Sequence, residues 1–280
     1  MTNGSGDERM KAAVLGSPIA HSLSPALHNA AYQELGIDID YTAIDTPIEQ
    51  LAQRISQLSD DDVGYSLTMP LKRDVLTLVS AWSPLVEQTG CANTVYRNSQ
   101  GKWALENTDI FGITNTIRQA GIEAIECATI IGSGATGRSA LSALADLGVR
   151  EVTCIARNRV SAERIRSQGD ALGIRVEWAD LAQEISFAGE VVISTVPSGA
   201  QGQIMGNISA QQRLPVLLDI SYNPWPSVLA RYWKENGGGE ALSGIEMLLW
   251  QASAQVELFT GLPAPIKAMR DALLDGLSTT

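Results

Sequence analysis

Short apolar runs alternate with segments of helical periodicity along almost the whole chain. In the first half, Ala12–Gly16, Tyr41–Ile44 and Val63–Leu67 are predicted to be buried strands, because each is a short apolar run bounded by turn residues. Between the last two of these, apolar residues from Ile48 to Leu58 recur at the spacing of one helix face. This alternation of strands and helices predicts an α/β fold.

The second half repeats the alternation and predicts a doubly wound parallel sheet. The expected elements are strands near 128–131, 152–155, 175–178, 191–195 and 216–219, and helices near 137–147, 161–171 and 226–235. Two more helices, from about Ser243 to Thr260 and over Ile266–Leu277, close the chain. Open α/β sheets bind their ligands at the carboxyl ends of the strands, so the loops there are the first places to look for chemistry.

A glycine-rich turn follows the strand at 128–131. Gly132-Ser133-Gly134-Ala135-Thr136-Gly137 has the G-x-G-x-x-G spacing of a dinucleotide-binding turn. Gly132 allows a sharp turn, Gly134 allows a pyrophosphate to approach the backbone, and Gly137 allows the next helix to pack closely on the strand. The start of that helix offers N–H groups and a positive dipole end to phosphates. Because glycine-rich turns are common, the motif alone is a weak indication of a nucleotide site.

The turn after the next strand bears on the choice of cofactor. Arg157-Asn158-Arg159 lies about twenty residues after the glycines, where a carboxylate would bind the ribose 2′-hydroxyl of NAD. Guanidinium groups there bind the 2′-phosphate of NADP instead. Arginines on a turn are usually only solvated, but at this place they favour NADP over NAD. The loops Thr195-Val196-Pro197-Ser198 and Asp219–Pro226 are expected at the same sheet edge.

Composition narrows the function classes further. The chain has 280 residues, enough for two domains, and 45% of them are hydrophobic. The net charge of −11 argues against nucleic acid or an anionic membrane as partner, and no apolar run has the length of a membrane span. Three cysteines without C-x-x-C spacing and two histidines indicate thiols in a reducing cytoplasm and no metal site. Monomer and homodimer both stay open.

Two hydroxyls precede the first predicted helix. Pro25 fits the first turn of that helix, and Ser24 is predicted as its N-cap. Turn and cap chemistry therefore explains Ser22 and Ser24. The alternative is a carboxylate cradle, since two hydroxyls and helix N–H groups converge there.

A lysine and an aspartate in later loops are the candidates for catalysis. Lys72 ends the loop Thr68-Met69-Pro70-Leu71-Lys72 and is predicted in the first turn of a helix, where the helix dipole disfavours a cation. It is either a solvated surface lysine or a functional one. Asp109 precedes a helix predicted from about Ile113, either as a cap or as the partner of a cationic catalytic group.

Together these stretches resemble the shikimate dehydrogenase family from Ala12 to Leu277. The matching stretches are Gly16–Asn29, Thr68–Lys72, Ala92-Asn93-Thr94, Asn107-Thr108-Asp109, the glycine turn, Asp219–Pro224 and Met247-Leu248-x-x-Gln251-Ala252. Each stretch alone is modest, but all of them in this order are highly specific.

The resemblance implies an α/β substrate domain, a Rossmann-type domain that binds NADP, a cleft between the two, and C-terminal helices that return to the first domain. We expect residues 1–10 to form a flexible N-terminus. Residues 11–111 and 246–280 would form the substrate-binding catalytic domain, and residues 112–245 the NADP-binding domain.

The resemblance also implies a reaction and roles by position. The reaction would be the reversible, NADP-dependent reduction of 3-dehydroshikimate to shikimate, in chorismate and aromatic amino acid biosynthesis, with Lys72 and Asp109 as the catalytic pair. Substrate would be bound by Ser22, Ser24, Ser66, Thr68, Asn93, Tyr222 and Gln251. NADP would be bound by Gly132, Ser133, Gly134, Ala135, Thr136, Gly137, Arg157, Asn158, Arg159, Thr195, Val196, Pro197, Ser221, Gly244 and Met247. No metal is needed, because the lysine polarises the carbonyl.

Two positions depart from the family pattern. The usual asparagine two residues before the loop threonine is Ser66, which reaches less far and offers one donor instead of two. That substrate contact is therefore in question. The usual Asn-Arg-Thr/Ser turn is Ala156-Arg157-Asn158, in which the arginine is kept and Asn158 with Arg159 would supply the other contacts.

Three alternative functions remain at this stage. An NAD-preferring quinate/shikimate dehydrogenase is disfavoured by Arg157. A catalytically silent NADP-binding regulatory paralogue is disfavoured by the presence of Lys72, Asp109 and Asn93. A folate-type dehydrogenase with a similar cofactor half is disfavoured by the Ser22-x-Ser24 loop.

Overall fold

The computed structural model describes residues 10–122, 125–187, 189–209 and 213–278. The predicted flexible N-terminus, residues 1–10, thus lies outside the described residues except for Met10, which begins the first strand. The chain divides into two compact units, one of residues up to Thr108 and from Ala252 onward, and one of Asp109–Gln251. No helix in the described ranges is both long and apolar enough to cross a membrane.

The first unit contains a mixed six-stranded sheet. Its strands are β1 (Met10–Gly16), β2 (Ile39–Asp45), β3 (Asp62–Leu67), β4 (Ala81–Trp82), β5 (Thr94–Arg97) and β6 (Trp103–Glu106). The strand order is β2-β1-β3-β5-β6-β4, with β1 parallel to β2 and β3 and with β5 antiparallel to β3 and β6. The helices are α1 (Ser24–Leu35), α2 (Ile48–Ser56) and α3 (Pro84–Thr89). All six residues of β3 are buried, as expected for a strand in the middle of a sheet.

The second unit contains a parallel six-stranded sheet. Its strands are β7 (Cys127–Ile131), β8 (Glu151–Ala156), β9 (Arg175–Asp180), β10 (Val191–Ser194), β11 (Val216–Asp219) and β12 (Ala241–Ser243). The helices are α4 (Asp109–Gln119), α5 (Ala135–Asp146), α6 (Arg159–Leu172), α7 (Gln201–Met205) and α8 (Val228–Glu235). The strand order is β12-β11-β10-β7-β8-β9. The predicted doubly wound sheet is confirmed.

The last two helices are α9 (Gly244–Thr260) and α10 (Ile266–Ser278). The unit division falls within α9, after Gln251, so that the end of α9 and all of α10 belong to the first unit. There α10 packs on α1.

The strand order of the second sheet reverses beside β7. β8 and β9 lie on one side of β7, whereas β10, β11 and β12 lie on the other. Ile131, the last residue of β7, pairs with Ser194, the last residue of β10. Open parallel sheets bind ligands in the crevice at such a switch point, so the loops after β7 and β10 are the candidate ligand-binding loops of this unit.

The unit division differs from the predicted domain boundaries at 111/112 and 245/246, because it falls after Thr108 and after Gln251. Asp109 begins α4, which packs on α5 of the second unit. A Cβ atom added at Gly112 of α4 would lie 2.7 Å from the Met247 carbonyl oxygen and 3.0 Å from the Gln251 Cβ. This close packing of α4 on the start of α9 groups Asp109, Met247 and Gln251 with the second unit.

Two helix starts differ from their predictions. Lys72 lies in a turn in which the Asp74 N–H donates to the Leu71 carbonyl at 3.1 Å, and only a short 3₁₀ helix follows it. Helix α1 begins at Ser24 instead of using Ser24 as its cap. The Ser22 Oγ accepts a hydrogen bond from the Ser24 N–H at 3.3 Å, so Ser22 supplies the side-chain oxygen at this helix start.

Candidate active site

The three glycines of the turn after β7 have different structural requirements. Gly132 has a φ of +106°, and a Cβ atom there would lie 2.4 Å from the Thr195 Oγ1. A Cβ atom at Gly137 would lie 2.4 Å from the Gly132 carbonyl oxygen. A Cβ atom at Gly134 would meet no heavy atom within 4 Å. Gly132 and Gly137 are therefore needed by the fold, whereas the absent side chain of Gly134 leaves open space above the turn.

The start of helix α5 adjoins this open space. Gly134 is the N-cap of α5 and, as a glycine, provides no capping side chain. The first turn of α5 contains no acidic residue. A helix start without a capping carboxylate or hydroxyl presents its N–H groups and positive dipole end to an anion, so the turn fits a pyrophosphate.

The loop after β10 lies against the glycine turn. The Thr195 N–H and hydroxyl both donate to the Ile131 carbonyl, at 2.8 Å and 3.0 Å. Val196 lies next to Gly132, since a Cβ atom on that glycine would be 3.2 Å from the Val196 Cγ1. Pro197 follows at the exposed surface. The structure thus brings this predicted cofactor segment to the glycine turn.

The arginine turn lies at the same edge of the sheet, after β8. The Gly132 N–H donates to the Ile155 carbonyl near the end of β8 at 2.9 Å. Arg157 is exposed, and no ion pair is formed by it within the described ranges. The Asn158 side chain caps α6 by accepting from the Ser161 N–H at 3.2 Å, and the Arg159 guanidinium lies 5.6 Å from the centre of the Trp178 ring. Arg157 is thus the member of the turn best placed to meet a phosphate.

A buried carboxylate organises the loop after β11. Asp219 is fully buried, and it accepts hydrogen bonds from the Ser221 N–H at 3.1 Å, from the Gln201 Nε2 at 2.8 Å and from the Ser227 hydroxyl. Burial raises the pKa of this carboxyl, and the three hydrogen bonds oppose that shift. The contacts fix the loop that carries Ser221 and Tyr222, both of which are half-buried.

The start of α9 packs on the same loop. A Cβ atom at Gly244 would lie 2.0 Å from the Ile220 carbonyl oxygen, so only glycine fits there. Met247 and Gln251 are both 7% exposed, and the Gln251 Nε2 donates to the Leu248 carbonyl at 2.9 Å. Asp109, at the start of α4, is 3% exposed.

In the first unit, backbone hydrogen bonds join the predicted substrate loops. The Thr68 N–H donates to the Leu15 carbonyl at 2.9 Å, and the Ala92 N–H donates to the Lys72 carbonyl at 2.8 Å. The Ser17 N–H donates to the Met69 carbonyl at 3.0 Å, which joins the start of the Ser22 loop to the lysine loop. Lys72, Thr68 and Ser22 are half-buried. The structure therefore brings these loops, and the asparagine that follows Ala92, into one cluster.

Both the oxygen and the nitrogen of the Asn93 side-chain amide are hydrogen-bonded. Its Oδ1 accepts from the Thr108 N–H and from the Thr94 hydroxyl, both at 2.8 Å, and its Nδ2 donates to the Thr108 Oγ1 at 2.9 Å. The side chain is 2% exposed. These contacts give Asn93 one fixed orientation.

Ser66 differs from the other predicted substrate residues. It is 4% exposed, its hydroxyl accepts from the Tyr41 hydroxyl at 2.7 Å, and it donates to the Gln255 Oε1 at 2.7 Å. The hydroxyl therefore faces the interior of the unit. The two partners give Ser66 an internal hydrogen-bonding role in this structure, and its predicted substrate contact stays a prediction.

The sequence pattern assigned no role to Tyr41 and Gln255, the partners of Ser66, or to His28, which bonds to Gln255. Gln255 is 1% exposed, and His28 and Tyr41 are also buried. Burial lowers the pKa of His28 to about 3, and the hydrogen bond with Gln255 opposes this shift only in part. The one sequence signal for Gln255 is its place four residues after Gln251 in an otherwise apolar part of α9.

Comparisons with known proteins identify the family of the chain. A model of the shikimate dehydrogenase substrate binding domain matches residues 14–95, and a model of the shikimate 5′-dehydrogenase C-terminal domain matches residues 244–274. The curated shikimate dehydrogenase (NADP(+)) of Prochlorococcus marinus strain AS9601 is 30% identical over 275 residues, which cover 93% of this chain and 96% of that protein.

Two solved structures extend the comparison to the fold. The shikimate dehydrogenase of Mycobacterium tuberculosis is 40% identical, with a TM-score of 0.84 over 95% of this chain and 99% of that one. The enzyme of Thermus thermophilus, solved in complex with NADP(H) and shikimate, is 28% identical, with a TM-score of 0.78 over 96% of this chain and all (100%) of that one. From sequence and fold together, the chain belongs to the shikimate dehydrogenase family.

Proposed function

We propose that this chain catalyses the reversible, NADP-dependent interconversion of 3-dehydroshikimate and shikimate. The curated shikimate dehydrogenase (NADP(+)) of Prochlorococcus marinus spans 93% of this chain, and the Thermus thermophilus relative was solved with both NADP(H) and shikimate. The observation in this chain that carries the proposal is the cluster of loops around Lys72 in the first unit. Backbone hydrogen bonds join the loops of Thr68, Lys72 and Asn93, which are the side-chain types that such a substrate requires.

Lys72 is the proposed general acid and base. Negative charge grows on the carbonyl oxygen of 3-dehydroshikimate during reduction, and an ammonium group stabilises that charge and delivers a proton to the oxygen. In the oxidation direction the lysine takes up the proton from the same oxygen. Asp109 is its proposed partner, with the roles of orienting the ammonium group and binding a neighbouring ring hydroxyl.

The remaining substrate contacts are assigned by their hydrogen-bonding chemistry. Ser22 and Ser24 at the start of α1 are proposed to bind the substrate carboxylate, because hydroxyls and helix N–H groups together favour an anion. Asn93, Thr68, Tyr222 and Gln251 are proposed to bind the ring hydroxyls or the carboxylate.

The second unit is the proposed NADP-binding unit. Gly134 and the start of α5 fit a pyrophosphate, and Arg157 fits the 2′-phosphate. Ser133, Ala135, Thr136, Gly137, Asn158, Arg159, Thr195, Val196, Pro197, Ser221, Gly244 and Met247 border the same loops and complete the proposed cofactor site. NADP, when bound, supplies or accepts the hydride, and the chain's own residues position the ring and handle the proton.

We also propose a cytoplasmic location, and in support of it Cys91, Cys127 and Cys154 form no disulfide. The oligomeric state in the proposal is a monomer or a homodimer.

One assay tests the proposed function. Reduction of NADP and of NAD is followed by absorbance, with shikimate and with quinate as substrates. We expect the highest kcat/KM with shikimate and NADP. A clear preference for NAD would contradict the role of Arg157, and a preference for quinate would change the substrate. No turnover of any pair, and no oxidation of NADPH by 3-dehydroshikimate, would favour a silent cofactor-binding paralogue.

A further inference from the structure

A chain of hydrogen-bonded side chains runs through the interior of the first unit and ends at Asn93. We call it the Gln255 network. Its members are buried, each at most 4% exposed. They are His28, Tyr32, Tyr41, Ser66, Thr94 and Gln255, in addition to Asn93.

Gln255 is the centre of this network. Its Oε1 accepts from the Ser66 hydroxyl at 2.7 Å and from the His28 Nε2 at 3.3 Å. Its Nε2 donates to the Asn93 carbonyl at 3.1 Å and to the Thr94 Oγ1 at 2.9 Å. A glutamine amide has two N–H donors and two acceptor lone pairs, so these four bonds use its whole capacity.

The direction of each hydrogen bond follows from the Asn93 backbone carbonyl. A carbonyl only accepts, so the Gln255 Nε2 must face it and the Oε1 must face Ser66 and His28. The His28 proton then lies on Nε2, and the Tyr32 hydroxyl donates to Nδ1 across 3.0 Å. The network therefore has one self-consistent arrangement of donors and acceptors.

The other end of the network contacts the Asn93 side chain, which Thr108 also holds. Thr94 accepts from Gln255, so its hydroxyl hydrogen is directed to the Asn93 Oδ1 at 2.8 Å. The Asn93 carbonyl also accepts from the Leu67 N–H at 2.7 Å, at the end of the strand that leads into Thr68. Gln255 thus contacts the Asn93 backbone directly and the Asn93 side-chain amide through Thr94.

We propose that Gln255 is a positioning residue for substrate binding, because it holds the Asn93 carbonyl directly and the Asn93 Oδ1 through Thr94, in addition to the Thr108 N–H that bonds the same oxygen. The inference rests on the proposed function, in which Asn93 contacts the substrate. Gln255 and Thr94 themselves are assigned no substrate contact. A purely structural glutamine would lower stability when replaced, but it would leave the substrate constants unchanged.

Another buried glutamine provides a matched control. The Gln168 Nε2 donates to the Arg138 carbonyl at 2.9 Å and to the Ser142 hydroxyl at 2.8 Å, within the second unit. Its donors therefore have the same two kinds of acceptor as those of Gln255, a backbone carbonyl and a hydroxyl. It lies on α6, and no substrate or cofactor contact is assigned to it.

The test compares Gln255→Met with Gln168→Met in the full chain. Methionine keeps the length of the side chain and removes the amide. We expect Gln255→Met to lower kcat/KM for shikimate by about tenfold to a hundredfold, while the KM for NADP stays within about twofold. Gln168→Met should lose thermal stability to a similar degree and keep kcat/KM for shikimate within about twofold.

A second pair of variants tests the positioning role of Gln255 if Gln255→Met does not fold. Thr94→Val removes the hydroxyl that reaches Asn93, and Thr94→Ser keeps it. We expect Thr94→Val to lower kcat/KM for shikimate and Thr94→Ser to remain close to wild type. Values within about twofold of wild type for Thr94→Val and for any folded Gln255→Met would overturn the inference while the proposed function stands. A wild-type protein without shikimate turnover would overturn the proposed function, and the inference with it.

Discussion

The buried imidazole of His28 makes the stability of the protein depend on pH in a way that can be calculated. The ring is fully buried and stacks on Tyr41, with 4.0 Å between the ring centres and 8° between the planes. Burial lowers the pKa of His28 to about 3. In the unfolded chain a histidine has a pKa of about 6.5. The folded state thus keeps this ring neutral over a pH range in which the unfolded state binds a proton.

The sign and the size of the effect follow from linkage. Between about pH 6.5 and pH 3 the unfolded state binds more protons at this site than the folded state, so the free energy of unfolding falls as the pH falls. At pH 5 the loss from His28 is about 2 kcal/mol relative to neutral pH, and at pH 3 it is about 4 kcal/mol. The value at pH 5 depends little on the folded-state pKa, because that pKa lies well below pH 5.

Chemical unfolding at several pH values measures this loss. The comparison is wild type against His28→Phe, since the difference between their pH slopes cancels every other titrating group. We expect wild type to lose about 2 kcal/mol more than the variant between neutral pH and pH 5. Nitrogen-15 NMR offers a direct check, because the chain has only two histidines and His21 is exposed. Equal pH slopes, or a folded protein at pH 5 with a protonated His28 imidazole, would refute the reasoning.

Three further predictions test the proposed site. Gly134→Ala should fold normally, since the new Cβ atom meets no heavy atom within 4 Å, but it should raise the KM for NADP at least about tenfold by filling the space for the pyrophosphate. An unchanged KM would show that no phosphate binds at this turn. Gly137→Ala, in contrast, should lose stability, because a Cβ atom there would lie 2.4 Å from the Gly132 carbonyl oxygen. Lys72→Ala should lower kcat at least about a hundredfold with a smaller change in KM, and a near-normal kcat would exclude the lysine from catalysis. Arg157→Ala should raise the KM for NADP at least about tenfold and leave that for NAD almost unchanged, whereas equal effects on both cofactors would argue against a 2′-phosphate contact.

The cofactor half was largely predictable from sequence because its requirements are local. Gly132 needs a positive φ and Gly137 needs close contact with the same turn, and both requirements concern residues within one short segment. The strands beside them are apolar runs, and the observed β7 and β11 match the predicted ranges to within one residue. Local backbone requirements restrict the allowed amino acids directly, so they remain visible in a single sequence.

Elements that depend on distant partners were predicted less well. The partners of Ser66 are 25 and 189 residues away along the chain, so its spacing gives no sign of the Tyr41 and Gln255 contacts. The strand Ala81–Trp82 has two residues, too few to show a period. The expected helix at Lys72 is a turn followed by a 3₁₀ segment, a difference that propensity does not reveal.

The difference between local backbone requirements and contacts with distant residues explains why sequence pattern alone indicated a nucleotide but not the other substrate. The proposed phosphate site is formed by main-chain N–H groups at a helix start, and any sequence that permits the turn provides it. The proposed substrate site depends on the orientation of single amides and hydroxyls such as those of Asn93, and that orientation is set by hydrogen bonds from residues far along the chain. The resemblance to a family supplied the substrate, because it rested on several separate stretches of the chain taken together. Ser66 shows that one member can differ from the family pattern while its hydroxyl is hydrogen-bonded to a residue of α9.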